Sequence, residues 1–206
     1  MAETDTPQIY LVTPPAFDPE AFAPTLANVL DGTDIACLRL ALAEADPDAV
    51  ARAADVCREI AHARDVPLVI ERHAGLVDRL GLDGVHLTDG PRSIRATRTA
   101  LGADAILGAF CGTSRHDGMT AGEIGADYIS FGPVGDPGLG TDTRAPRDLF
   151  EWWSEMIELP VVAEGALDAA LIAAFAPVTD FFAIGPEIWR TEDPGAALRA
   201  LTAALR

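Results

Sequence analysis

The sequence predicts a single α/β domain spanning residues 1–206, folded as a closed (β/α)8 TIM barrel. Three observations carry that expectation. First, one unit recurs: a helix stops, usually at a glycine, an aspartate follows, and a short apolar run begins. It stands at Gly32-Thr33-Asp34 before IACLRL, Gly81-Leu82-Asp83 before GVHL and Gly102-Ala103-Asp104 before AILGAF. It returns at Gly125-Ala126-Asp127 before YISFG and at Val178-Thr179-Asp180 before FFAIG. Second, the apolar runs are continuous rather than alternating, as strands buried on both faces must be. Third, eight such runs alternate with eight helical segments within 206 residues. Alternation of this kind requires parallel pairing with right-handed crossovers, and the length sits near the lower end for a closed barrel. The rival is an open doubly wound sheet, but no Gly-x-Gly-x-x-Gly follows the first strand.

Each element has a local reason. IYLVTP, ending at Pro14-Pro15, is the first strand. FDPEAFAPTLANVLDG spaces Phe22, Leu26 and Leu30 on one helical face and stops at Gly32. IACLRLAL is the second strand. Asp46-Pro47 then opens a helix with an N-cap and a first-turn proline, running to about Arg64. VPLVI is the third strand, closed by Glu71-Arg72-His73, and a short helix reaches Leu80. GVHL is the fourth strand, and Thr88-Asp89-Gly90-Pro91 leads into the helix SIRATRTAL. AILGAF is followed by a helix from His116 to Ile124. YISFG feeds the long loop GDPGLGTDTRAP and the helix around FEWWSEMIE. PVVAEG, the helix LDAALIAAF, DFFAIG and a last helix from Asp193 or Pro194 complete the eight units.

Composition narrows the function classes. The net charge is 15 − 32 = −17. Such a surface repels nucleic acid and anionic lipid, so neither is an expected partner. No apolar run approaches a membrane span. The start, MAETDTPQ, does not read as a signal peptide, so the expected location is cytoplasmic. All fifteen basic residues are arginine. Without lysine, Schiff-base chemistry is excluded. Cys37, Cys57 and Cys111 are too few and scattered for a disulfide framework.

A barrel carries its site at the C-terminal strand ends. Four groups of residues fall there. Glu71, Arg72 and His73, with His86 and Asp89, bring carboxylates, a guanidinium and imidazoles to neighbouring ends. They suit metal binding through Glu71 and Asp89, acid–base work through a histidine, or rim ion pairs. Glu71 and Arg72 are adjacent, so at most one points inward. His86, inside a strand, reads first as a hydrogen-bonded core residue. Gly165 and Gly185, after strands 7 and 8, allow backbone N–H groups to approach a phosphate, although Glu164 and Glu187 beside them oppose an anion. Thr141, Thr143 and Arg144 lie in the long loop after strand 6, where hydroxyl and guanidinium donors suit a phosphate. Cys111 reads as a small buried residue, with a thiolate nucleophile as the alternative. Trp152 and Trp153 suggest either a homo-oligomer surface or packing between helices.

IYLVTP, DGVHL, GADYISFGPV, PVVAEGAL and FFAIGPEIW, in this order and spacing, resemble thiamine phosphate synthase and its sister branch of thiazole tautomerase-like proteins. The resemblance covers nearly the whole chain and implies a compact (β/α)8 barrel. It implies a transferase that joins a hydroxymethylpyrimidine diphosphate to a thiazole phosphate, releasing pyrophosphate with Mg2+. It implies catalytic roles for Arg39, Glu71, Arg72 and His73, and small phosphorylated metabolites as partners. The mouth departs from the family pattern. Where the family has Gln-Leu-Arg-x-Lys on strand 2, Arg39 falls on its arginine or its glutamine, and the lysine is lost either way. The family's Asn-Asp-Arg stands here as Glu71-Arg72-His73. Asp89 is displaced by two positions from a family Mg2+ ligand. The Thr-x-Thr-Lys loop is matched only by Thr141-Asp142-Thr143-Arg144. The tautomerase histidine is matched by Gly112. Each lost charge-assisted contact is worth about 1.5–3 kcal/mol, so these changes predict a crippled ordinary reaction. A non-catalytic binder of a thiamine precursor or other small phosphate ester, and an isomerase on the same barrel, are the alternatives.

Overall fold

The computed structural model describes residues 6–43, 46–136, 138 and 143–205. Eight parallel strands close a barrel in sequence order. They are β1 (Gln8–Val12), β2 (Cys37–Leu40), β3 (Leu68–Glu71), β4 (Gly84–Leu87), β5 (Ile106–Phe110), β6 (Tyr128–Phe131), β7 (Val161–Glu164) and β8 (Phe181–Ile184). β8 returns to β1, with Tyr10 opposite Ala183. The helices are α1 (Pro19–Gly32), α2 (Pro47–His62), α3 (Val77–Leu80), α4 (Ile94–Leu101) and α5 (Arg115–Glu123), then α6 (Arg147–Met156), α7 (Ala169–Phe175), α8 (Pro186–Trp189) and α9 (Pro194–Leu201).

Helix starts follow local chemistry. Asp18, Asp46, Ser114, Asp168 and Asp193 each accept a backbone N–H three residues on, satisfying a donor that the first turn leaves free. Two details differ from the sequence expectation. The segment after β3 begins as a 3-10 turn, Ala74–Leu76, before α3. The four-residue α8 precedes the last helix, because Pro186 is placed to start a turn directly after β8.

The recurring aspartate has a physical task at the N-terminal face. Asp83 accepts the N–H of Leu68, Asp127 that of Leu107 and Asp180 that of Val161, at 2.6–2.8 Å. The backbone N–H of each aspartate donates to the carbonyl of the same residue. Each thus ties the start of one strand to the start of the strand before it.

Two apolar cores result. The larger lies between strands and helices, with Phe131, Phe150 and Trp153 fully buried. The smaller fills the barrel and joins Tyr10, Val12, Cys37, Val69, Tyr128, Val162 and Ala183 from six strands. Gly108 is required there: a Cβ on it would fall within the Tyr128 ring. Trp153 donates to the Leu159 carbonyl at 2.8 Å, while Trp152 is half-buried beneath the Arg115 guanidinium. No described helix is long and apolar enough to cross a membrane.

Candidate active site

Side chains two apart on a strand share a face. The inward set that begins with Tyr10, Cys37, Val69, Tyr128 and Val162 therefore continues toward the C-terminal mouth as Val12, Arg39, Glu71, Ser130 and Glu164. The lower inward residues are mostly apolar and the upper ones mostly polar. This gradient makes the mouth a polar chamber on an apolar floor.

Arg39 is the centre of the chamber and only 6% exposed. Its Nη1 donates to Glu164 Oε2 at 3.0 Å, and its Nε lies 3.9 Å from Glu71 Oε2. Glu71 Oε1 in turn meets Arg72 Nε at 3.3 Å. A chain of alternating charge thus crosses the mouth from β7 through β2 to β3. Burial disfavours the Arg39 charge, but Glu164, the two tyrosines and Glu71 outweigh it and hold the pKa above its usual value. Arg39 Nε has no hydrogen-bond partner.

A second polar line runs below. His86 Nδ1 bonds Tyr128 Oη at 2.9 Å, and Tyr128 Oη bonds Tyr10 Oη at 2.6 Å. Burial first, and then Arg39, push the His86 pKa well below its usual value, so the imidazole is neutral at pH 7. Burial raises both tyrosines, which stay protonated. His86 Nε2 and Ser130 Oγ are buried without partners. A buried polar atom without a partner costs about 1–3 kcal/mol, so both atoms are energetically costly where they stand.

The strand ends that bear the two glutamates are strained. Arg72 has φ 67°, and after Glu164 come Gly165 at 90° and Ala166 at 52°. A non-glycine residue in this region costs about 1–2 kcal/mol, and such costs cluster at functional sites. Beside them a cavity of about 480 Å3 opens between β7 and β8, lined among others by Arg39, Glu164, Gly165, Glu187 and Arg190. Glu187 spans its far side. Its Oε2 accepts the Gly185 N–H at 2.9 Å and its Oε1 the Leu167 N–H at 3.1 Å.

The structure brings Arg39, Glu71 and Arg72 together, with Glu71 turned inward and Arg72 outward. His73 is half-buried, and its imidazole caps nothing. Asp89 is exposed and accepts from Ser93 Oγ at 2.5 Å. Gly165 lines the β7–β8 opening, whereas Gly185 does not, and its N–H donates to Glu187. Arg144 pairs with Asp136, another residue lining the cavity, and so stands at its rim. Thr143 is exposed. Thr141 lies outside the described residues. Burial and then Asp117 raise the Cys111 pKa to about 12, so it is a buried thiol rather than a thiolate.

Sequence reasoning passed over Tyr10, Tyr128 and Ser130, and it read Glu164 only as an obstacle. Strand parity carried the signal: Tyr10, Arg39, Glu71, His86, Tyr128, Ser130 and Glu164 are polar residues inside apolar strands, and all fall on the inward set. Of the two carboxylates expected to hold Mg2+, Glu71 faces Arg39 and Arg72, while Asp89 is exposed and accepts from Ser93 Oγ. Among the described residues no group of three or more His, Cys, Asp or Glu is arranged to hold a metal by itself.

Comparison with known proteins adds to this geometry. A family model described as thiamine monophosphate synthase matches residues 9–183. A thiamine-phosphate synthase from Rhodospirillum centenum is 41% identical, covering 97% of this chain and 98% of the relative. One from Hyphomonas neptunium is 36% identical, covering 97% of each. Among solved structures, thiamine phosphate pyrophosphorylase from Pyrococcus furiosus superposes with a TM-score of 0.84 over 98% of this chain and 96% of that one, at 18% identity. That last likeness is one of fold. Erosion of activity is not shown by any of these similarities.

Proposed function

The chain belongs to the thiamine monophosphate synthase family, and from that premise we propose that it transfers a pyrimidinylmethyl group from a diphosphate to a thiazole, releasing pyrophosphate. The observation that carries this reading is the buried Arg39, ion-paired with Glu164 and beside Glu71 on the inward face of the strands. Fixed polar groups aimed at a chamber closed from below are what a carbocation-like transfer needs, because the protein contributes positioning and electrostatics.

Roles follow from placement. Arg39 supplies the positive charge inside the chamber, and its two carboxylates keep it charged and aimed. Arg72 and Arg144, at opposite rims, receive the leaving diphosphate. Thr143, next to Arg144 in the chain, offers a hydroxyl donor, and Thr141 is the further candidate that the sequence supplies. Glu71 and Asp89 would hold Mg2+, which when bound neutralises the departing pyrophosphate. Neutral His86 and Ser130 hydrogen-bond the heteroaromatic ring, with His86 fixed through Nδ1 by Tyr128. His73 follows Glu71 and Arg72 in the chain, and its backbone N–H donates to the Glu71 carbonyl. Gly165 lets the chain turn close to Pro133, so that Glu164 faces Arg39.

The test is release of pyrophosphate from hydroxymethylpyrimidine diphosphate in the presence of Mg2+ and a thiazole acceptor. Release that requires both organic substrates is expected. No release with either the thiazole alcohol or its phosphate, at enzyme equimolar with substrate, would overturn the reading.

A further inference from the structure

Beside the mouth, another cavity of about 340 Å3 opens between the loop after β1 and the segment joining α8 to α9. It shares no lining residue with the β7–β8 cavity. Aromatic rings form one wall. Phe17 lies tilted against Phe22 with 4.5 Å between centroids, and Phe22 meets Trp189 edge-on at 5.1 Å. All three are half-buried, so none is wholly spent on the core. Trp189 is fixed in place, because its Nε1–H donates to the Val12 carbonyl at 2.6 Å. That N–H is the one donor of an indole, so Trp189 offers the cavity only an apolar, electron-rich surface.

Asp18 and Glu192 join the lining, which includes no arginine or histidine. Neither carboxylate is in an ion pair among the described residues. An anion is poorly served here. The two helices that begin at this cavity, α1 and α9, open on Pro19 and Pro194, which have no N–H, and their caps Asp18 and Asp193 take the Ala21 and Ala196 N–H groups. A neutral apolar ligand would strip water from two carboxylates and return no hydrogen bond. A cation meets both features, because a ring face carries negative potential and attracts positive charge within about 6 Å of its centroid. We propose that this cavity binds a small organic cation bearing a quaternary nitrogen, with its methyl groups against Phe17, Phe22 and Trp189 and its charge facing Asp18 and Glu192. The inference stands apart from the transfer reading, because none of these five residues lies in the chamber around Arg39.

Calorimetry titrates choline, and its neutral isostere with carbon in place of nitrogen, into the full chain and into Phe17→Leu, Trp189→Leu and Glu192→Gln. Choline is expected to bind in the millimolar range or tighter, and the isostere at least about tenfold more weakly. Phe17→Leu and Trp189→Leu keep apolar bulk and lose a ring face. Each should weaken choline about three- to fivefold and leave the isostere unchanged. Glu192→Gln, at an exposed acid screened by water, should weaken choline about twofold. Trp189→Leu also removes the bond to β1, so Phe17→Leu and Glu192→Gln carry the test if that variant fails to fold. Equal binding of the two compounds, choline binding unchanged in both Phe17→Leu and Glu192→Gln, or no choline binding at about 10 mM would overturn the proposal.

Discussion

The two ends of this barrel solve opposite problems. At the N-terminal face Asp83, Asp127 and Asp180 each satisfy both backbone groups of one residue on the preceding strand, so the same bond is made at three strand starts. At the C-terminal face the polar groups do not repeat and are not all satisfied. Arg39 Nε, His86 Nε2 and Ser130 Oγ have no partners, and Arg72 and Ala166 hold left-handed backbone. The base is built for its own stability. The mouth concentrates buried charge and partnerless polar atoms, although the base also holds Asp65 in left-handed backbone and a buried Thr33 Oγ1 without a partner. Substitutions should therefore divide: those at the base cost stability, and those at the mouth cost chemistry.

The largest effect is expected at Arg39, where the two roles meet. Arg39→Met leaves Glu71 and Glu164 facing each other in a buried chamber, and breaking a buried ion pair costs about 3–5 kcal/mol. Chemical denaturation should show that loss, and pyrophosphate release should fall by at least about tenfold, the chamber's buried positive charge being removed. Normal release from this variant would break the assignment of the mouth as the site.

Asp127→Ala should cost about 1–3 kcal/mol by leaving the Leu107 N–H unpaired, and it also removes the ion pair with Arg98 at 2.6 Å, though Arg98 keeps its carbonyl partners. KM should be unchanged wherever the variant is folded. A changed KM would mean that the two ends are not independent.

Next comes pH. The folded pKa of His86 is depressed, so the unfolded chain binds its proton first as the pH falls. The stability due to the neutral imidazole is fully present above the unfolded value of about 6.5 and is lost progressively below it, by up to about 1.4 kcal/mol per pH unit. His86→Gln should flatten the fall of Tm between pH 7 and pH 5 relative to wild type. An identical slope would contradict the buried neutral histidine. The smallest structural effect belongs to Ser130→Ala, which removes an unpartnered hydroxyl. Stability should stay within about 0.5 kcal/mol or rise slightly, while substrate KM increases.

The same division explains what the sequence made legible. The base was readable because its chemistry is local and repeated: a helix stop, an aspartate and an apolar run recur at matching spacing, and the strands follow. The mouth and the polar line beneath it are assembled from residues more than a hundred positions apart, such as Arg39 with Glu164 and Tyr10 with Tyr128. Glu71 and Arg72 were recognisable as strand-end charges, but which of them faced inward depended on where β3 ended. Glu164 and Glu187 looked hostile to a phosphate site. They are instead the partner of Arg39 and the occupant of two backbone donors, roles visible only once β7 and β8 lie side by side. Parity along the strands would have found Tyr10, Tyr128 and Ser130, because a polar residue on an inward position of a closed barrel needs a reason to be there.

The division between base and mouth is tested most directly by measuring pyrophosphate release and unfolding free energy together for Ser130→Ala and Asp127→Ala. The expected result is a crossed pattern: Ser130→Ala loses turnover and keeps its stability, and Asp127→Ala loses stability and keeps its turnover while folded. Parallel losses in both variants, or a loss of turnover confined to Asp127→Ala, would contradict it.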